Sequence, residues 1–119
     1  MRVAVIAIAA LAFALMGLAA LAAPGRIVAP FGLRADTPTA RSEVRAVYGG
    51  FGIAMAGLLA AAAAGGAPAG AVLAAGVALL GMAAGRLVSR LLDSAVPFYP
   101  VHCYLLIELG AGAALCAVA

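Results

Sequence analysis

Charge is scarce in this sequence, and it is unevenly distributed. Only 9% of the 119 residues are charged, whereas 68% are hydrophobic, and no charged side chain occurs between Arg45 and Arg86. As one helix that interval would measure roughly 60 Å, about twice the hydrocarbon core of a bilayer. It must therefore fold back, and Gly65-Gly66-Ala67-Pro68 supplies turn residues. The pattern predicts a transmembrane hairpin and excludes an ordinary soluble domain, whose surface needs more charge.

Basic runs and metal-ligand spacings are also missing. All seven basic residues are arginines in a chain of net charge +3, and they form no basic helix face, so we expect no nucleic-acid partner. Two cysteines and one histidine lack the spacing of a metal site. In one helix Cys103 and Cys116 would lie about 20 Å apart, too far for a disulfide. We also find no catalytic triad, CxxC, phosphate loop or HExxH motif, and expect neither cofactor nor metal.

Four apolar segments remain, and they predict an all-α integral membrane bundle with up-down-up-down topology. We expect a single transmembrane domain over residues 1–119, with helices at approximately 3–23, 38–64, 68–90 and 101–119 and a polar loop at 24–37. The first segment resembles a secretory signal up to Pro24, but it is long enough to span, so we expect a retained helix. Thr37 before Pro38 predicts the start of the second helix.

Glycines predict where the helices pack. Gly49 and Gly50 lie in the second helix, where Ala46, Gly50 and Ala54 would form a small-residue ridge, and Gly81 and Gly85 form a GxxxG pattern in the third. Small residues let helices approach closely in a membrane. We therefore expect all four glycines at helix interfaces.

The arginines predict an orientation. Four crossings would put both termini on one side with Arg2 alone, and six arginines on the other side: Arg26, Arg34, Arg41, Arg45, Arg86 and Arg90. The positive-inside rule then places the arginine-bearing loops in the cytoplasm and both termini outside it.

Glu108 is the most informative single residue. It lies about 12 Å into the fourth helix, where an ionisable group is costly unless it is paired or hydrated. Arg45 and Arg86 reach a similar depth from the same side, so we expect Glu108 to pair with one of them. The full predicted cluster consists of Glu43, Arg45, Tyr48, Arg86, Ser89 and Glu108. It has two interpretations: polar contacts that hold the helices in register, or a site for a polar or anionic ligand or a proton relay.

The segment Glu43-Val44-Arg45-Ala46-Val47-Tyr48-Gly49-Gly50 resembles the E-x-R-A-x-Y-G-G motif of a small bacterial membrane family, domain of unknown function 4345. Gly85-Arg86 and Glu108 match that family's G-R motif and fourth-helix glutamate. The resemblance covers nearly the whole chain and implies four membrane helices. It brings no established activity. The chain is less similar to small multidrug-resistance transporters, whose essential glutamate lies in the first helix, or to fluoride channels, whose motifs use polar residues such as asparagine.

Three functions follow from these patterns. We expect first a bacterial inner-membrane protein without catalytic activity, with a structural or accessory role, surrounded by lipid and acting alone, with copies of itself or with other membrane subunits. The alternative is a small-molecule or proton-linked carrier or binding protein that uses the Arg/Glu cluster. The third is a membrane enzyme acting on lipid or quinone.

Overall fold

Helices account for almost all of the secondary structure in the computed structural model, which describes residues 1–119 and contains no strand. The long helices are α1 (Arg2–Ala22), α3 (Pro38–Ala63), α4 (Ala71–Leu92) and α5 (Cys103–Val118). A short helix, α2 (Pro24–Val28), follows α1. Four helices are long and apolar enough to cross a membrane, the last of them counted from Phe98, and by length and composition this is a membrane protein. The predicted all-α class is confirmed.

The predicted start of α3 is confirmed, with a side-chain cap followed by a proline in the first turn. Thr37 has extended backbone angles, its hydroxyl oxygen accepts a hydrogen bond from the Ala40 amide at 3.1 Å, and Pro38 occupies the first helical turn. The side chain satisfies one of the amides that a helix start leaves unpaired, and proline loses nothing there because it has no amide hydrogen.

The segment expected as a polar loop is partly helical. Residues Pro24–Val28 form α2, and Ala29–Phe31 add a 3₁₀ turn that ends at Gly32 with a φ of 72°. Pro24 stops α1 as expected, but it also occupies the first turn of the next helix, a position that its fixed φ suits. Pro24 and Val28 are buried, so packing supports a helix that the sequence pattern does not predict.

The turn after α3 is longer than the predicted Gly65–Pro68. Helix α3 ends at Ala63 and α4 begins at Ala71 rather than at Pro68. Gly65 and Gly70 both have positive φ, 82° and 86°, which glycine adopts without steric cost. Pro68 thus lies in the connection, not in the helix.

The chain divides into two compact units, the N-terminal unit (Val3–Ala67) and the C-terminal unit (Pro68–Ala119). In the N-terminal unit α1 and α3 run antiparallel, because Gly17 lies against Gly49 and Ile53 while Phe13 lies against Gly52. A Cβ on Gly52 would lie 2.9 Å from the Phe13 carbonyl oxygen, and one on Gly17 would lie 2.8 Å from the Ile53 amide nitrogen. The backbones therefore touch, as small residues allow.

In the C-terminal unit α4 and α5 are also antiparallel. A Cβ on Gly76 would lie 2.7 Å from the Cys116 sulfur and 2.9 Å from the Gly112 carbonyl oxygen, and one on Gly112 would lie 2.9 Å from Leu80. The facing stripes are completed by four other buried residues: Val72, Ala75, Ala83 and Leu115. Their spacing of three and four keeps them on one helix face each.

Of the four glycines predicted at helix interfaces, one packs as expected and three do not. Gly49 is buried against the Leu21 side chain, but Gly50 is exposed. A Cβ on Gly81 or Gly85 would have no atom within 4 Å. The α4–α5 pair packs through Gly76 and Gly112 instead, because those glycines fall on the stripe that faces the partner helix.

Candidate functional site

Arg86 and Glu108 form the polar centre of the C-terminal unit. Arg86 Nε donates to one carboxylate oxygen of Glu108 at 2.7 Å, and Nη2 donates to the other at 2.8 Å. This parallel two-bond geometry is the strong form of the arginine–carboxylate interaction. The pair predicted from the sequence is therefore present, with Arg86 as the partner.

The helix stripes explain why these two residues meet. On α5, Glu108 precedes the buried Gly112 and Leu115 by four and seven residues, so it lies on the face that packs against α4. On α4, Arg86 follows the buried Ala83 by three. In this antiparallel pair, the register of the two helices is enough to bring the two side chains together.

Burial makes the pair energetically important. The Glu108 side chain is 5% exposed and that of Arg86 is 23% exposed. A carboxylate so deeply buried costs several kcal/mol unless its oxygens are satisfied, and no buried side-chain nitrogen or oxygen lacks a hydrogen-bond partner. The Arg86 guanidinium also lies 5.8 Å from the centre of the Tyr104 ring, within the range of a cation–π contact.

Arg45 has a different partner. Its Nε donates to the Leu21 carbonyl oxygen at 3.0 Å. This is one of the last carbonyls of α1, which find no amide donor inside the helix. A cation is also favourable at that end of a helix dipole. In the N-terminal unit Arg45 thus caps α1.

The E-x-R-A-x-Y-G-G segment contains an irregular helical turn. From Arg45 to Gly50 the backbone is a π-helix, so α3 has a wider turn between two regular portions. Such turns are often found at functional sites. Within it Tyr48 is half-buried, and Glu43 is exposed just before it.

The six-residue cluster as a whole stays a prediction. Arg86, Ser89 and Glu108 belong to the C-terminal unit, whereas Glu43, Arg45 and Tyr48 belong to the N-terminal unit. The structure joins Arg86 to Glu108, and it places Ser89 with Arg86 in the lining of a cavity.

That cavity lies where α4 ends and the chain turns into α5. Its volume is about 180 Å³. The polar lining residues are Arg86, Ser89, Arg90, Asp93, Ser94 and His102. No sequence pattern marks Arg90, Asp93 and His102 as a site; the available signal is the four-residue spacing of Arg86 and Arg90 ahead of a proline-rich turn.

Other candidate chemistry gives no site. Both cysteines are free, and no group of three histidine, cysteine or acidic residues could hold a metal ion.

Comparisons with known proteins assign the chain to a family. Curated proteins and solved structures give no match to it. The family model described as a domain of unknown function, DUF4345, matches residues 1–119, and the chain therefore belongs to that family.

Proposed function

We propose that this chain is a small structural or accessory protein of the bacterial inner membrane, without catalytic activity of its own. It crosses four times, up-down-up-down, with both termini outside the cytoplasm. It acts alone or packed on further copies or on other membrane subunits. Little of the chain lies outside the four apolar helices, which suits a component whose role is exerted within the bilayer.

The observation that carries this proposal is the closed Arg86–Glu108 pair. Both carboxylate oxygens are occupied by one guanidinium, so the pair satisfies itself and ties α4 to α5. Polar contacts of this kind stabilise helix association in membranes. A ligand that used Glu108 would first have to break two short charge-assisted hydrogen bonds.

A double-mutant cycle tests the structural role. Removing one partner leaves a buried charge unpaired, so Arg86→Gln or Glu108→Gln alone should destabilise the protein by on the order of 3 kcal/mol. The double variant should lose clearly less than the sum of the two. Unfolding in detergent micelles measures all three, and Glu43→Gln, an exposed acid in no ion pair, is the control that should change little.

Additive losses would contradict the structural role. A gentle-detergent pull-down that compares the wild type with the double variant tests the accessory role. Partner subunits should co-purify with the wild type and not with the double variant.

The second candidate is a carrier or ligand-binding protein, and the cavity beside Arg86 favours it. If the Arg86 and Glu108 variants stay folded and stable but lose a binding or transport activity, this candidate replaces the structural one.

A further inference from the structure

We propose that the cavity at the end of α4 binds the headgroup of a zwitterionic phospholipid that carries a primary ammonium, phosphoethanolamine being the chemistry that fits. This site goes beyond the structural role of the ion pair and does not depend on it. Its volume of about 180 Å³ is below the roughly 300–1,000 Å³ of pockets that enclose whole small ligands. It suits one polar end of a larger molecule.

The cavity offers an unpaired cation. Arg90 lines it, is exposed, and makes neither an ion pair nor a side-chain hydrogen bond. Arginine presents several donors in a plane that matches phosphate oxygens. His102 lines the same cavity and supplies a further ring nitrogen.

The cavity also offers an unpaired acid. Asp93 accepts a hydrogen bond from the Ser94 amide at 2.8 Å but forms no ion pair. Arg90 lies in the last turn of α4, whereas Asp93 follows the helix with extended backbone angles, φ −132° and ψ 174°, and the two side chains form no ion pair. A ligand with a phosphate and an ammonium group would satisfy both, whereas a simple anion would meet the repulsion of Asp93.

The surroundings favour a lipid over a soluble compound. Leu91 and Leu92, which lie in the sequence between the lining residues Arg90 and Asp93, are 85% and 82% exposed, and Phe98 is 61% exposed. They lie at the end of a helix long enough to span a membrane, where aromatic residues commonly mark the level of the headgroups. Acyl chains can lie along these side chains while the headgroup occupies the cavity.

Native mass spectrometry of the delipidated full chain in detergent tests the site. Phosphatidylethanolamine, phosphatidylcholine and phosphatidylglycerol with identical acyl chains are titrated separately. We expect phosphatidylethanolamine to bind about tenfold more tightly than the other two, because a choline group cannot donate a hydrogen bond to Asp93 and a glycerol group carries no positive charge. Equal binding of the three lipids would overturn the proposal.

Two variants locate the binding. Arg90→Gln should weaken phosphatidylethanolamine binding about tenfold. Asp93→Asn keeps an oxygen for the Ser94 amide, and it should abolish the preference for phosphatidylethanolamine over phosphatidylcholine. Arg26→Gln removes an exposed arginine of the N-terminal unit that makes no ion pair; it is the matched control and should bind as the wild type does. Wild-type affinity and preference in the first two variants, with unchanged unfolding, would assign the lipid to another surface and refute the site.

A soluble headgroup compound distinguishes a membrane lipid from a free polar solute as the occupant of the cavity. Glycerophosphoethanolamine lacks acyl chains and should fail to displace the lipid at concentrations at which the lipid itself saturates. Displacement at equal concentration would show that the cavity takes a free polar solute, and would overturn the lipid assignment.

Discussion

Glu108 is a carboxylate placed among apolar side chains, and its cost is offset by one neighbour. At 4% residue exposure it cannot rely on water. The two hydrogen bonds from Arg86 replace hydration and restrict the two helices to one register. The same residue therefore explains both why the helices pair and why they pair in that position.

Arg45 is the second cation whose role is visible at the residue scale. Arg45→Gln should destabilise the protein by about 1 kcal/mol, because the Leu21 carbonyl loses its donor and the helix end loses a favourable charge. Thermal unfolding in detergent measures the loss. Arg26→Gln removes an exposed arginine that makes no ion pair, and an equal loss in that control would show that the Leu21 contact is not the cause.

The amino-acid sequence predicts the ion pair but not the cavity. Depth along two helices was enough to join Glu108 with an arginine, because a buried charge has few alternatives. Choosing between Arg45 and Arg86 needed the packing faces. The sequence counts Arg90 only among the arginines that predict orientation and gives Asp93 no role, because whether neighbouring charges pair with each other or stay available depends on side-chain geometry that no spacing specifies.

At the scale of helices, glycine contacts set the distance between the partners. Gly17 and Gly52 do this in the N-terminal unit, and Gly76 and Gly112 in the C-terminal unit. The sequence contains 15 glycines, so composition predicts close packing but does not identify the contacting members. A GxxxG pattern indicated Gly81 and Gly85, which lie on an open face of α4.

Gly76→Ala should destabilise the protein by about 1–3 kcal/mol, because the new methyl group would overlap backbone and sulfur atoms of α5. Gly81→Ala, on the same helix, should be neutral or slightly stabilising, because alanine is the better helix former and has free space. The midpoint of thermal unfolding in detergent compares them. A greater loss for Gly81→Ala would mean that α4 packs through its other face.

Helix limits were predictable where local chemistry decides them. Thr37 and Pro38 start α3 as their side chains dictate. Helix α2 was missed because Pro24-Gly25 is a usual stop signal, and only burial of Pro24 and Val28 explains why the chain coils again. Helix α4 begins later than predicted. A proline fits the first turn of a helix as well as it fits the connection before one, so Pro68 alone does not decide between the two.

At the scale of the whole molecule, the distribution of arginine predicts orientation. A reporter that is active only outside the cytoplasm should be active when fused after Ala119, because six of the seven arginines fall at the opposite ends of the predicted crossings. The control is the same reporter fused after Ala35, between the first two spanning helices, where it should be silent. Activity of a cytoplasm-only reporter after Ala119 would reverse the proposed topology.

The Arg86–Glu108 pair also has a consequence for biosynthesis. A chain is made from its N-terminus, so α4 with its arginine leaves the ribosome before α5 with its glutamate. The carboxylate can therefore enter the bilayer beside a counter-ion that is already there, and it need not face lipid alone at any stage. The last helix is apolar enough to cross a membrane by its own composition, and the order of the two residues along the chain also gives its carboxylate a counter-ion on arrival.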